Sequence, residues 1–146
     1  MIYLASPFFN EKQLNFVKKL EEAFTLAELQ FFSPRSEGVL KDMTPEERSQ
    51  RMLEIFDSNI SHMNAACVIV AVIDNYDTGT VFEIGYGYGK DIPIFTITDN
   101  DYGLNVMVRE CVTAHNKTLE GLIVNVCEHL ANDPITINDV LTEDVT

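Results

Sequence analysis

Apolar runs of strand length alternate along the chain with stretches whose apolar residues recur at helical spacing. The run "IYLA" at residues 2–5 is stopped by Ser6-Pro7, the form of a short buried strand. Leu14, Val17, Leu20 and Phe24 then recur among Lys and Glu, which predicts an amphipathic helix. "LQFFSP" at 29–34 repeats the strand-then-stop pattern. Thr44-Pro45-Glu46-Glu47 reads as a helix start, with Thr as N-cap, Pro in the first helical position and Glu in the third. That helix is predicted to run to about Ala65, with Met52, Ile55, Phe56, Ile60 and Met63 on its apolar face. "CVIVAVI" at 67–73 is continuously apolar and β-branched, as a central parallel strand would be. The loop 74–79 leads into a helix around 80–89, "IPIFTI" at 92–97 makes a fourth strand, and Leu119, Leu122, Ile123, Val126 and Leu130 mark one face of a last helix.

Strands alternating with helices predict an α/β fold with a parallel sheet, in one domain over residues 1–146. The tail after Asn132 is acidic and reads as an extension, about 133–146, or a subunit contact. In such sheets ligands bind beyond the carboxyl ends of the strands. Three polar-rich segments leave strands there: "SPFFN", "DNYDTGT" and "TDNDYGLN".

The net charge of −13 argues against a nucleic acid as partner, because that binding rests on Lys and Arg neutralising phosphates. A small anion held by backbone N–H groups stays open. The three cysteines have no C-x-x-C spacing, and Cys67, inside an apolar run, reads as a small buried hydrophobe; a disulfide framework or zinc site is not expected. No run reaches the roughly 18 apolar residues of a membrane span, and the N-terminus lacks the basic region of a signal peptide. The expectation is a soluble, cytoplasmic protein.

Within "DTGTVFEIGYGYGK" (77–90), Glu83 is a carboxylate in an apolar, glycine-rich run, which is costly unless it has a purpose. Near the start of a helix the dipole favours its ionised form. Gly79 allows close backbone approach, and Gly85, Gly87 and Gly89 are poor helix formers whose presence points to a strand or another chain packed close. A carboxylate pair at the mouth of a sheet suits chemistry at a sugar carbon, where one group attacks and the other handles the leaving group's proton. Two readings of Glu83 stand level on position alone: this one, and a local cap or ion pair. Asp77, on spacing alone, is a helix N-cap. "GYGYGK" lacks the phosphate-loop spacing, and no dinucleotide fingerprint is present; Lys90 reads as a C-terminal dipole partner. His62, His115 and His129 show no ligand spacing, so neither metal nor cofactor is called for.

Taken together, "IYLASPFF", "DTGTVFEIGYGYGK" and "DYGLNVM" resemble, in order and spacing, the nucleoside 2-deoxyribosyltransferase family over residues 2 to about 110. The resemblance implies a flavodoxin-like fold and exchange of the base of a 2′-deoxynucleoside through a covalent deoxyribosyl-enzyme intermediate. It implies Glu83 as nucleophile and Asp77 as the residue that binds and protonates the base. Tyr3, Ala5, Phe8, Phe9 and Gly79 fall where the family lines the pocket. Asn105 would come from a neighbouring subunit with Met107 beside it, in a dimer or a hexamer of dimers with shared sites.

Two departures from the pattern stand out. Where the family carries a second aspartate on the preceding helix, this chain has Asn59, which offers a donor and an acceptor but no acid. Asp57 is roughly 200° around the helix and does not substitute. The family's "GKP" becomes Gly89-Lys90-Asp91-Ile92-Pro93, a change at the helix–strand turn. The expected activity is base exchange on free nucleosides. The alternatives are hydrolysis of nucleoside 5′-monophosphates, for which Ser6, Arg35 and Arg109 are candidate phosphate contacts, and a catalytically silent nucleotide-binding module.

Overall fold

The computed structural model describes residues 1–38, 40–98 and 103–132; the acidic extension at about 133–146 lies outside them. The elements run β1 (Ile2–Ala5), α1 (Glu11–Leu26), β2 (Phe31–Phe32), a 3-10 turn (Pro34–Glu37), α2 (Pro45–Ala65), β3 (Val68–Val72), α3 (Thr78–Gly89), β4 (Ile94–Ile97), α4 (Val106–Cys111), β5 (Ala114–Asn116) and α5 (Leu119–Ala131). All strand pairs are parallel, in the order β2-β1-β3-β4-β5. This is the flavodoxin-like order, whose direction reverses between β1 and β3 and opens a crevice at their carboxyl ends.

Alternation along each strand sorts the core into two layers. Ile2 and Leu4 of β1 join Val68, Val70 and Val72 of β3 under α1 and α5, with Leu20, Phe24, Leu122 and Val126 packed on them. Tyr3 and Ala5 face the other way, with Ile69, Ala71 and Ile84, beneath α2, α3 and α4. The predicted start of α2 at Thr44 forms, and α1 starts on a cap that the sequence pattern does not name. Asn10 accepts from Gln13 N–H to cap α1, and Thr44 with Glu47 forms a complete capping box on α2.

Three expectations are corrected. Cys67 is exposed, since it precedes β3 at the sheet's rim and its Sγ meets only the backbone of Met1. On α2 only Met63 is buried, while Met52 and Phe56 stand 51% and 52% exposed. The helix outruns the sheet, so among the described residues the amino-terminal part of its apolar face stays half-uncovered, with Phe56 meeting the exposed Phe82 ring. The strand 29–34 shrinks to two residues, and the stretch after its phenylalanines becomes the 3-10 turn.

Of the three glycines in the second half of α3, Gly85, Gly87 and Gly89, one explains itself. A Cβ on Gly87 would collide with Ile69 Cδ1 and lie 3.4 Å from Ile94 Cδ1, whereas Gly85 and Gly89 face open space. Gly87 therefore lets α3 settle on β3 and β4. Gly87→Ala is expected to lower stability by about 1–3 kcal/mol through overpacking, and Gly85→Ala to raise it by up to about 1 kcal/mol through helix propensity. Urea unfolding of both variants checks this; equal effects would discard the packing argument. No helix among the described residues is long and apolar enough to cross a membrane.

Candidate active site

The crevice at the β1–β3 reversal holds the sequence's two carboxylates. Asp77 caps α3: its Oδ2 accepts from Thr80 N–H and Thr80 Oγ1–H, both at 3.0 Å. Its Oδ1 carries no hydrogen bond among the described residues. Gly79 keeps this pocket open, because a Cβ there would press on Asp77 Oδ2 at 3.3 Å.

Glu83 lies one and a half turns further along α3, on the face turned toward β1. Burial pushes its carboxyl up to about 7; the Tyr3 hydroxyl pulls in the opposite direction, and the charge of Asp77 adds to the rise. The expectation that the helix dipole would settle it as a carboxylate is therefore corrected. The dipole fades within the first turn, and desolvation outweighs it. Tyr3 is fully buried, and burial together with the Glu83 charge raises its own pKa. The two groups interact, yet neither Tyr3 Oη nor Glu83 Oε2 attains a formed hydrogen bond. Asn59 Oδ1 is likewise buried without a partner. Between α2 and α3, Phe56 lies against Phe82 with ring centroids 6.4 Å apart, and Tyr86 Oη donates to Asn64 Oδ1 at 2.6 Å; along the chain Asn59 falls between Phe56 and Asn64 as Glu83 falls between Phe82 and Tyr86. Buried polar atoms without partners are rare in native proteins, and the Tyr3 and Glu83 pair marks a place built for something else to bind.

The loop leading to Asp77 is bent and tied. Asn75 and Tyr76 both have φ of 50°, a left-handed conformation that Asn tolerates and that costs Tyr about 1–2 kcal/mol. Tyr76 Oη donates to the Gly103 carbonyl at 2.9 Å and accepts from Asn105 N–H at 2.7 Å. It thereby joins the loop after β3 to the start of α4. Nothing in the sequence pattern singled out Tyr76, because its role depends on a contact with residues 27 and 29 positions away.

The remaining candidates are spread more widely. Ala5 is buried at the end of β1, beside Tyr3's layer. Phe8 packs against the opposite core layer, stacked on an exposed Phe9 at 5.1 Å. Asn105 caps its own α4 through Met107 N–H, and Met107 is 74% exposed. In one chain, then, Tyr3, Asp77, Gly79 and Glu83 gather, Asn59 is buried on α2, and Phe8, Phe9, Asn105 and Met107 do not close over the group. Met52, Leu53 and Phe56 on α2 are exposed, as is Phe82, which precedes Glu83 on α3 and meets Phe56 with ring centroids 6.4 Å apart. A shallow cavity of about 760 Å³ along α1, lined by Asn10, Asn15, Phe16 and Lys19 among others, contains none of these residues.

The three histidines lie away from Glu83: His62 stacks on Phe32, His115 bonds Thr96, and His129 meets the edge of Phe95. Lys90 caps the end of α3 and lies over the Tyr86 ring, 5.7 Å from its centroid.

Comparison with known proteins agrees with this architecture. A solved 2-deoxyribosyltransferase from Bacillus psychrosaccharolyticus superposes with a TM-score of 0.74 at 28% identity, covering 82% of this chain and 88% of the other. A conserved protein of Enterococcus faecalis V583 shares the fold, with a TM-score of 0.73, 20% identity, and coverage of 88% and 98%. An uncharacterized protein of Ureaplasma parvum serovar 3 is 24% identical over 97% of this chain and 94% of its own length. The family model for nucleoside 2-deoxyribosyltransferases matches residues 2–130, nearly the whole described chain, and the protein belongs to that family.

Proposed function

We propose that this protein exchanges the base of 2′-deoxynucleosides, with Glu83 as nucleophile. The observation that carries the reading is the buried Glu83 Oε2, without a partner and facing the equally unpartnered Tyr3 hydroxyl in the crevice between β1 and β3. A merely structural carboxylate would have been paired.

In the reaction, a Glu83 oxygen attacks C1′ of the deoxyribose. The glycosidic C–N bond breaks, its electron pair leaves with the base, and the base takes up a proton at Asp77, whose Oδ1 is free for it. A second base then attacks C1′ through nitrogen and gives its N–H proton back to Asp77, the ester to Glu83 breaks, and the carboxylate is restored with net retention. The Tyr3 hydroxyl beside the carboxylate lowers the cost of ionising it in a dry pocket. Asn59, an amide, holds the base by hydrogen bonds and transfers no proton. Ala5 and Gly79 line the pocket by their small size.

Closure of the site falls to a second copy of the chain. Asn105 and Met107 lie exposed at the start of α4, and Met52, Leu53, Phe56 and Phe82 lie exposed on α2 and α3. Phe8 and Phe9 complete the sugar side once the crevice is occupied. No cofactor enters this scheme. Of the candidate phosphate contacts, Arg35 is committed to Glu21 by a bidentate ion pair, the Ser6 hydroxyl donates to the Pro7 carbonyl, and Arg109 lines a cavity that contains neither Glu83 nor Asp77. Free nucleosides are therefore the favoured substrates.

Chromatography of the purified protein with deoxyinosine, with and without adenine, tests the reading. Deoxyadenosine formed only when adenine is present supports transfer. Free hypoxanthine without transfer points to hydrolysis. No turnover of nucleosides or of their 5′-phosphates leaves a binding module.

A further inference from the structure

A second cavity, of about 610 Å³, opens between α4, β5 and the Gly103–Leu104 turn. Its polar wall carries Arg109, His115 and Lys117, its apolar wall Leu104, Val112 and Ala114, and among the described residues no carboxylate lines it. In a chain of net charge −13 this concentration of cations is conspicuous. Neither Arg109 nor Lys117 makes an ion pair among the described residues. Glu110, the next residue, lines a different cleft with Asp91. His115 is fixed rather than loose: its Nδ1 pairs with Thr96 Oγ1 at 2.6 Å, which leaves Nε2 as the ring nitrogen able to meet a ligand. Burial and the nearby charge of Lys117 both lower its pKa, so the imidazole works here as a neutral hydrogen-bonding group between two fixed cations.

We propose that this groove binds a small phosphomonoester, a mononucleotide or sugar phosphate, at a site separate from Glu83. Arg109 supplies a planar fork suited to phosphate oxygens, and Lys117 a point charge. The volume falls within the range of small-molecule sites. The apolar wall covers the organic part of the ligand, which inorganic phosphate lacks. An extended polyanion is disfavoured because the acidic remainder of the chain would repel it. The proposal does not depend on the reading of Glu83.

The test is an NMR titration of the full-length, isotopically labelled protein at constant ionic strength. The ligands are deoxyadenosine 5′-monophosphate, 2-deoxyribose 5-phosphate, inorganic phosphate and unphosphorylated deoxyadenosine. Saturable shifts of the Ala114, His115 and Lys117 signals with either organic phosphate, and none with deoxyadenosine, are expected. The R109A/K117A variant, altered only at exposed positions, should bind at least tenfold more weakly with its melting temperature unchanged. The arm that saturates at lower concentration tells nucleotide from sugar phosphate. The proposal is overturned if the shifts fall on Tyr3 and Glu83 instead, if inorganic phosphate binds as tightly as the organic phosphates, or if the double variant binds as well as the parent.

Discussion

A Glu83→Gln variant is expected to lose base exchange by roughly 10³-fold or more, as removal of a nucleophile does, and at the same time to become the more stable protein above neutral pH. The second half follows from the pocket. Folding raises the Glu83 pKa from 4.5 to about 7, so the folded chain holds this proton more tightly than the unfolded one. That contribution to stability is full below about pH 4.5 and is lost as pH rises through about 7. Above that range the buried charge costs on the order of 3 kcal/mol, from about 1.4 kcal/mol per pKa unit. Glutamine has no proton to lose, so its advantage over the parent should grow by roughly 2 kcal/mol between pH 5.5 and 8.5 in urea unfolding. The range stays above the isoelectric point of about 4.4, where low net charge favours association. The same ionisation should make kcat/KM of the parent rise with pH through about 7, since the free enzyme's nucleophile must be charged. Full exchange activity in the variant would remove Glu83 from the reaction. A stability gap independent of pH would show that its carboxyl is not held protonated by burial.

Mixing two inactive variants is expected to restore activity. If each site combines Glu83 of one subunit with Asn105 of another, Glu83→Ala and Asn105→Ala should each be nearly inactive alone, with Asn105→Ala lowered about 10²-fold or more as a positioning residue. Unfolded and refolded together at equal amounts, they should form mixed dimers in which one site has lost both groups and the other is intact. Half the dimers would be mixed and half their sites whole, so roughly a quarter of parental activity returns. The structure motivates this through the exposed Met107 and the uncovered apolar residues of α2 and α3. Mixtures no more active than the separate variants would place both residues in the same subunit's site and end the shared-site reading.

Much of the fold is legible in one dimension. The continuous apolar run before Asp74 could only be a strand buried on both faces, and Thr44-Pro45 with Glu47 could hardly be anything but a helix start. Both signals are local and chemical. The elements that escaped notice, α4 and β5, are six and three residues long, too short to show a period. β5 also carries a histidine and an asparagine at positions where an apolar pattern would be sought. Cys67 and Phe56 were misjudged for a shared reason. Periodicity says which residues share a face, but not how far the neighbouring layer extends beneath it.

The candidate site divides along the same line. Glu83 and Asp77 stand out as residue types in an order and spacing that match a family, and Asn59 as a departure from it, and the chain alone determined that much. It also determined the alternation that sends Tyr3 and Ala5 to one layer and Ile2 and Leu4 to the other. Tertiary structure alone decided that Tyr3, from the first strand, meets Glu83 some eighty residues later, and that Tyr76 ties the Asp77 loop to Asn105. It also decided that burial rather than the helix dipole governs the Glu83 carboxyl. The reason is physical. Propensity, capping and periodicity act over one or two turns, whereas desolvation and convergence of side chains depend on which distant segments exclude water from the same small volume.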